Sequence, residues 1–135
     1  MAATGGDITE ITYNHPTLGN GVLYPKSNED STYDLGGLRS EDDANMVDGG
    51  GKAINKINRV RWSFENTISN DMNVNNEMEK VKAMAGDPAD ASWTFQHVNG
   101  TIYAGQGRPV GDLNFNGNAA TFKLKVSGGG DLSKL

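Results

Sequence analysis

Polar and apolar residues alternate without a break from Arg59 to Glu65 (Arg-Val-Arg-Trp-Ser-Phe-Glu), and the pattern extends in both directions. Over Ala53 to Ser69 the even positions Ile54, Val60, Trp62, Phe64 and Ile68 are apolar, while the odd positions offer only Ile57 as a large apolar residue. A period of two places one set of side chains on a buried face and the other on a wet one, so the run predicts a β-strand. At the ordinary rise of a strand it would extend about 50 Å, whereas a compact domain of this length is roughly 37 Å across. Two outcomes are open: a bulge breaks the strand near Lys56 to Asn58, or part of it leaves the body. An overhanging strand exposes unpaired backbone groups that another copy of the chain can pair.

Other elements follow the same logic. Ile8, Ile11 and Tyr13, then Val22, Leu23 and Tyr24, predict two short strands with a turn at Asn20-Gly21. Ser31 to Leu35 predicts a third. Gly36 to Gly51 has no period and is bounded by glycines, which predicts a long loop, and uninterrupted loops of that length are usually functional or disordered. One helix is expected near Asn73 to Ala85, where Val74, Met78, Val81 and Met84 recur at helical spacing. Asp71 or Asn73 can cap it, and Gly86 closes it. Beyond the helix, Trp93, Phe95 and His97 alternate with polar residues, and Asn99-Gly100 turns the chain into Thr101 to Ala104. A second hairpin turns at Asn116-Gly117, with Ala120, Phe122, Leu124 and Val126 facing in. The tail from 127 to 135 reads as flexible.

Composition narrows the function. The 135 residues predict a single domain, 1–135, with only 36% apolar residues and eighteen glycines. A net charge of −5 argues against wrapping nucleic acid on a basic surface. With no cysteine there is no disulfide framework or thiolate chemistry. MAATGGDITE has neither a basic n-region nor an apolar h-region, so no secretory signal is expected. No window approaches the apolar length of a membrane span.

Charge is unevenly distributed. Between Glu29 and Asp48 stand seven acids and one base, Arg39; between Lys52 and Arg61 stand four bases and no acid. Charge runs are commonly solvated faces. The sharper reading docks Glu41, Asp42, Asp43 and Asp48 of one subunit on Lys56, Arg59 and Arg61 of the next, since complementary patches fix register.

Candidate chemistry is thin. Asp112-Leu-Asn-Phe-Asn-Gly117 opens like a calcium loop, but its twelfth position is Lys123 where a bidentate Glu belongs, so a turn is favoured. Asp71-Met-Asn-Val-Asn75 repeats the opening more weakly, at a helix start. Gly105-Gln-Gly-Arg-Pro-Val-Gly111 lacks the spacing and following helix of a phosphate loop, and its glycines read as turn residues. His15 and His97 are the only histidines, read as a turn and a strand residue. Adjacent Glu41, Asp42 and Asp43 are the one concrete form a metal-dependent enzyme could take, and neighbouring carboxylates do not converge by themselves. No catalytic, metal or cofactor residue is assigned.

In order and spacing the whole chain resembles the tail tube proteins of long-tailed bacteriophages, which share a plan with pyocin tubes and the inner tubes of type VI secretion systems. The likeness runs through TYNHPTLGNGVLYPK, GGLRSEDDANMVDGGG, KINRVRWSFENTIS, NNEMEKVKAMAG and the strand-rich stretch from Trp93 to Gly128. The resemblance implies a β-sandwich with one flanking helix and a long extended loop, assembling through hexameric rings into a ring-shaped β-barrel. It implies no enzyme and no cofactor, and a loop, here Gly36 to Gly51, that reaches a neighbouring subunit. Implied partners are the chain itself in stacked rings, a sheath in a contractile tail, a tape measure protein and double-stranded DNA in the lumen, a baseplate or tube initiator, and a tail terminator. The implied setting is the virion tail, assembled in the host cytoplasm without membrane insertion. The competing expectation is a monomeric β-sandwich that recognises carbohydrate or protein, with Tyr24, Trp62, Trp93 and Tyr103 as stacking platforms.

Overall fold

The structure, a computed structural model, describes residues 3–41 and 44–135. It is mainly β with one helix. In chain order the elements are β1 (Ile8–His15), β2 (Gly19–Leu23), β3 (Thr32–Asp34), β4 (Gly37–Arg39), β5 (Met46–Val47), β6 (Ala53–Ile54), β7 (Asn58–Val60) and β8 (Trp62–Ser69). Then come α1 (Glu77–Gly86), β9 (Ala91–His97), β10 (Ile102–Pro109), β11 (Phe115–Asn116), β12 (Thr121–Gly128) and β13 (Ser133–Lys134).

Two antiparallel layers make the body, joined through β10. Its first part pairs with β9, from Ile102↔Gln96 to Gly107↔Ala91, and Arg108 and Pro109 pair with Ser127 and Val126 of β12. The first layer is β2-β1-β9-β10 with β13 beside β10; the second is β12-β8-β3 with β11 beside β12. Among the described residues the path ends at β2 and β3 and does not close as a barrel within one chain. Past β2 the chain crosses to the second layer, where Pro25 bridges Ile68 and Lys26 N–H donates to Thr67 O at 2.9 Å.

Alternation predicted the core from Trp62 onward, but not before it: Ile54, on the same even face, is exposed and Val60 only half-buried. Trp62, Phe64 and Ile68 of β8 meet Trp93 and Phe95 of β9, all fully buried, and the Phe64 and Phe95 rings stack at 4.2 Å. Phe122, Leu124 and Val126 complete the second layer's inner face, whereas Ala120 is exposed in the turn with φ 55°. Both indole N–H groups donate to β10 carbonyls at 3.1 Å, Trp62 to Gln106 and Trp93 to Gly107.

That packing corrects the reading of Gly105 to Gly111 as a turn: Gly105 and Gly107 lie inside β10. A Cβ on Gly107 would stand 2.8 Å from Trp62 Cζ2 and collide with the Ser127 carbonyl, so this position needs glycine for close approach. Asn20-Gly21 is likewise in strand; the first hairpin turns at residues 16–18. There His15 is buried, and its Nδ1 accepts from Thr17 N–H at 3.2 Å and Leu18 N–H at 3.1 Å. The chain turns at Asn99-Gly100 as expected, but only Gly100 has positive φ (93°), so it is not the two-residue turn in which both positions take positive φ.

The helix begins later than its period suggested, at Glu77. Val74, expected on the buried stripe, is 81% exposed, while Val81 and Met84 are buried. Asn76 in the left-handed region breaks the pattern, and Asn70 Oδ1 caps from a distance by accepting from Met78 N–H at 3.0 Å. The C-terminal tail is not loose. Leu132 is buried in the core, β13 pairs with β10, and Leu135 N–H donates to Ile102 O at 2.9 Å.

Candidate functional site

The long alternating run from Ala53 to Ser69 does both things its length allowed. Residues 55–57 interrupt it, Arg61 interrupts it again, and only β8 enters the body. The outer part pairs with the segment that lacked any period. β4 pairs with β7 through Gly37↔Val60, Leu38↔Arg59 and Arg39↔Asn58, and β5 pairs with β6 through Met46↔Ile54 and Val47↔Ala53. The expected loop Gly36 to Gly51 is therefore half of a two-stranded ribbon, reaching out from β3 and β8.

Local chemistry orders this ribbon. At its tip Asp48 Oδ1 accepts from Gly50 N–H and Lys52 N–H, each at 2.9 Å, and Asp48 N–H donates to Lys52 O. Midway, Asn45 Oδ1 accepts from Lys56 N–H at 2.9 Å. At the root Asp34 grips Arg39 through both carboxylate oxygens, with Nη1 to Oδ2 at 3.1 Å, and Oδ1 also accepts from Gly36 N–H at 3.0 Å. Arg39's hydrogen bonds, then Gly36's, hold the Asp34 carboxyl below its ordinary pKa. Gly36 turns at φ 74°, and a Cβ there would stand 2.8 Å from Trp62 N. The tail reaches the same point: Asp131 bridges Gly36, and Leu132 N–H donates to Leu35 O at 3.0 Å.

What the ribbon lacks is a core. Every residue from Met46 to Arg59 is exposed. Leu38 (63%), Met46 (55%), Val47 (68%) and Ile57 (66%) keep most of their surface in solvent, with Ile54 at 41%. An isolated two-stranded ribbon is marginally stable in water, and these exposed apolar side chains, which register places on both of its faces (Met46 with Ile54, Val47 with Ala53), make it a candidate contact site.

The charged residues singled out from sequence that the structure describes fall on or beside this ribbon. Asp48 is at the tip, Lys56 in the interruption, Arg59 opposite Leu38, and Glu41 beside the described part of the crossing, its carbonyl accepting from Ala44 N–H at 3.0 Å. Asp42 and Asp43 lie outside the described residues. Arg61 is at the root and donates from Nη2 to Ser127 O at 3.3 Å. Among the described residues, no ion pair joins the acids of 41–48 to the bases of 52–61. The acidic and basic segments meet through backbone pairing, and Glu41, Asp48, Lys52, Lys56 and Arg59 are exposed. The apolar positions Leu38, Met46 and Val47 were missed, because without a period nothing distinguished them from loop residues.

Of the other candidate chemistry, His15 Nε2 is buried without a hydrogen bond, 3.6 Å from Asp87 Oδ1. His15 and His97 each spend Nδ1 on a backbone N–H of their own turn. Among the described residues no three His, Cys, Asp or Glu side chains gather as a metal site. Tyr33, with its hydroxyl buried and unpartnered, has its pKa pushed up to about 12 by burial and by Tyr103, so it stays neutral. Trp62 and Trp93 are fully buried and Tyr103 is half-buried, which leaves Tyr24 alone as an exposed stacking platform of the four considered. No helix among the described residues is long and apolar enough to cross a membrane.

No protein-family model matches the chain, and no curated protein matches it. Among solved structures it is similar to a chain of the anti-feeding prophage (AFP) baseplate determined by cryo-EM with 6-fold symmetrisation. The TM-score is 0.43 and the identity 12%, over 100% of this chain and 97% of that one.

Proposed function

We propose that this chain is a structural subunit of a phage-like tail, self-assembling into stacked hexameric rings that form the tube through which the genome reaches the host cell. The observation that carries the reading is the ribbon: an ordered extension with apolar side chains and nothing of its own chain to bury them against. A neighbouring subunit supplies the missing surface. Because the ribbon meets a different part of its neighbour, the contact is heterologous, and such contacts close into rings when the rotation permits. The strands left unpaired at the ends of the sheet, β2 and β3, find partners in the same way. Closure of six such sheets is what turns an open path into a barrel.

The chain's net charge of −5 suits a conduit. Retention of DNA requires neutralising phosphates with Lys or Arg, and an acidic subunit does not supply that. No residue is assigned a catalytic role; the activity is assembly.

Electron microscopy of the purified chain over a series of concentrations tests the proposal. Six-fold rings or open-ended tubes with a central channel are the expected result. Monodisperse monomers at every concentration, with and without a preformed tail end as initiator, would overturn it in favour of a monomeric binding module.

A further inference from the structure

The two layers present different outward faces, and strand register states which residues are on each. In the first layer Ile11, Tyr13, Trp93 and Phe95 point to the core, so their alternates point out: Thr12 opposite Thr94, Asn14 opposite Ser92, and Gln106 opposite Ser92 on the other side. The Thr12 and Thr94 hydroxyls hydrogen-bond to each other across the strands. Within this face the one charged side chain among the described residues is Glu10, paired with Gln96. At its margin Arg108 is held by Asp90, Nε to Oδ1 at 3.0 Å, and by the Pro88 carbonyl. Register places Asn20, Val22, Ile102 and Ala104 on the same face, so the surface is largely neutral, mixing hydroxyls and carboxamides with apolar side chains, in a chain of which 21% is charged.

The second layer's outward face is different. Lys123 and Lys125 both stand exposed on β12; Lys125 pairs with Glu65 of β8, Nζ to Oε1 at 3.3 Å, while Lys123, opposite Thr67, has no ion-pair partner among the described residues, and Arg61 is exposed at the start of the same layer. An unpaired lysine such as Lys123 can neutralise a phosphate and release its counterion. The ribbon also continues from β3 and β8, which belong to this layer.

From this contrast, and resting on the tube reading above, we infer that the outward face of the first layer is the wall of the channel. Duplex DNA passing along it meets apolar side chains together with hydroxyls and carboxamides, which offer hydrogen bonds interchangeable with those of water, and, among the described residues of this face, no unpaired cation to hold a phosphate. Hydrogen bonds of this kind position DNA, but without cations the salt-dependent affinity that would arrest it is absent. The lysine-bearing face points away from the channel.

The absence of cysteine makes the test clean. Ser92→Cys on the first layer and Lys123→Cys on the second each introduce a single thiol at an exposed position; Asn14→Cys, on the neighbouring strand, is the reserve should Ser92→Cys fail to assemble. Free subunits and sedimented tubes are treated with iodoacetamide or with a maleimide carrying a polymer too wide to enter the channel. In free subunits every thiol reacts with both reagents. In tubes, Ser92→Cys and Asn14→Cys should keep their reaction with iodoacetamide and lose that with the polymer, apart from tube ends, while Lys123→Cys should not show this split. Polymer labelling of Ser92→Cys throughout intact tubes would overturn the assignment of the face while leaving the tube reading in place. Failure of the unmodified chain to form rings or tubes would remove both together.

Discussion

Val47 and Ile57 stand 68% and 66% exposed on a ribbon with no core of its own, so replacing both with serine separates assembly from folding. Burying a Val or Ile side chain completely contributes about 1.5–3 kcal/mol. With about two-thirds of each still in solvent, seating both against a neighbour contributes about 2–4 kcal/mol per contact. At about 1.4 kcal/mol per tenfold in an equilibrium constant, the double variant should raise the subunit concentration needed for assembly by roughly 30- to 1000-fold. Folding should hardly notice, because surface substitutions away from packed features change stability by about 0.5 kcal/mol or less. Sedimentation velocity across a dilution series gives the assembly threshold, and urea unfolding of the dilute monomer gives the stability. An unchanged threshold would refute the docking of the ribbon. A monomer weakened by several kcal/mol would refute the premise, since it would mean that these side chains are buried in the chain's own fold.

Gly107→Ala forces a methyl against Trp62 and the Ser127 carbonyl, and should lower stability by about 1–3 kcal/mol, seen as a lower urea midpoint. Leu132→Ala should lower it by about 2–5 kcal/mol, because this tail side chain is only 5% exposed; a loose tail would show no change. Asp34 titrates below 3.8 in the folded chain because Arg39 stabilises its carboxylate. Its contribution is therefore fully present above that unfolded value and lost as the pH falls through the lower folded one. Asp34→Asn should flatten the acid limb of a stability–pH curve, and an unaltered limb would show that the ribbon root does not depend on the pair. Arg59→Glu with Arg61→Glu should abolish assembly, with ring counts by electron microscopy as the measure. Survival of rings would remove charge as the source of register and leave the apolar contact standing.

Much of this fold is legible in the sequence because its signals are local. The alternation through Trp62, Phe64, Trp93, Phe95, Phe122 and Leu124 states which face is buried, and Asn99-Gly100 carries its own turn chemistry. What is not legible depends on distant partners. Gly105 and Gly107 read as turn residues because the Trp62 that requires them small lies far away in sequence. Leu132, one apolar residue among glycines and polar neighbours, gives no period to announce that it fills the core. Val74 continues the helical spacing, yet the left-handed Asn76 starts the helix after it. The candidate site was half visible for the same reason. Excess strand length pointed to something leaving the body, but alternation is the same inside and outside it, so nothing in the pattern marks Arg61 as the boundary. The partner strand has no pattern, since two short pairings separated by irregular crossings impose none.

The ribbon's internal order has a consequence for how assembly starts. Docking a disordered loop would first require fixing its backbone, at about 1–2 kcal/mol per residue, and that cost would be subtracted from whatever its apolar side chains contribute. Here the Asp48 tip, the Asn45 hydrogen bond to Lys56 and the Asp34–Arg39 root hold the two strands in register before any neighbour arrives. Polar groups thus preorganise the ribbon, while Leu38, Met46, Val47 and Ile57 remain available. The tail contributes to the same end, since Asp131 and Leu132 meet Gly36 and Leu35 where the ribbon leaves the body. Weakening this polar scaffold should therefore impair assembly without removing one apolar contact. Asp48→Ala leaves every large side chain of the ribbon in place, yet it should raise the assembly threshold and speed amide hydrogen exchange from Met46 to Ile54. Unchanged exchange there would show that the tip hydrogen bonds do not order the ribbon. Faster exchange with an unchanged threshold would show that the ribbon docks equally well from disorder.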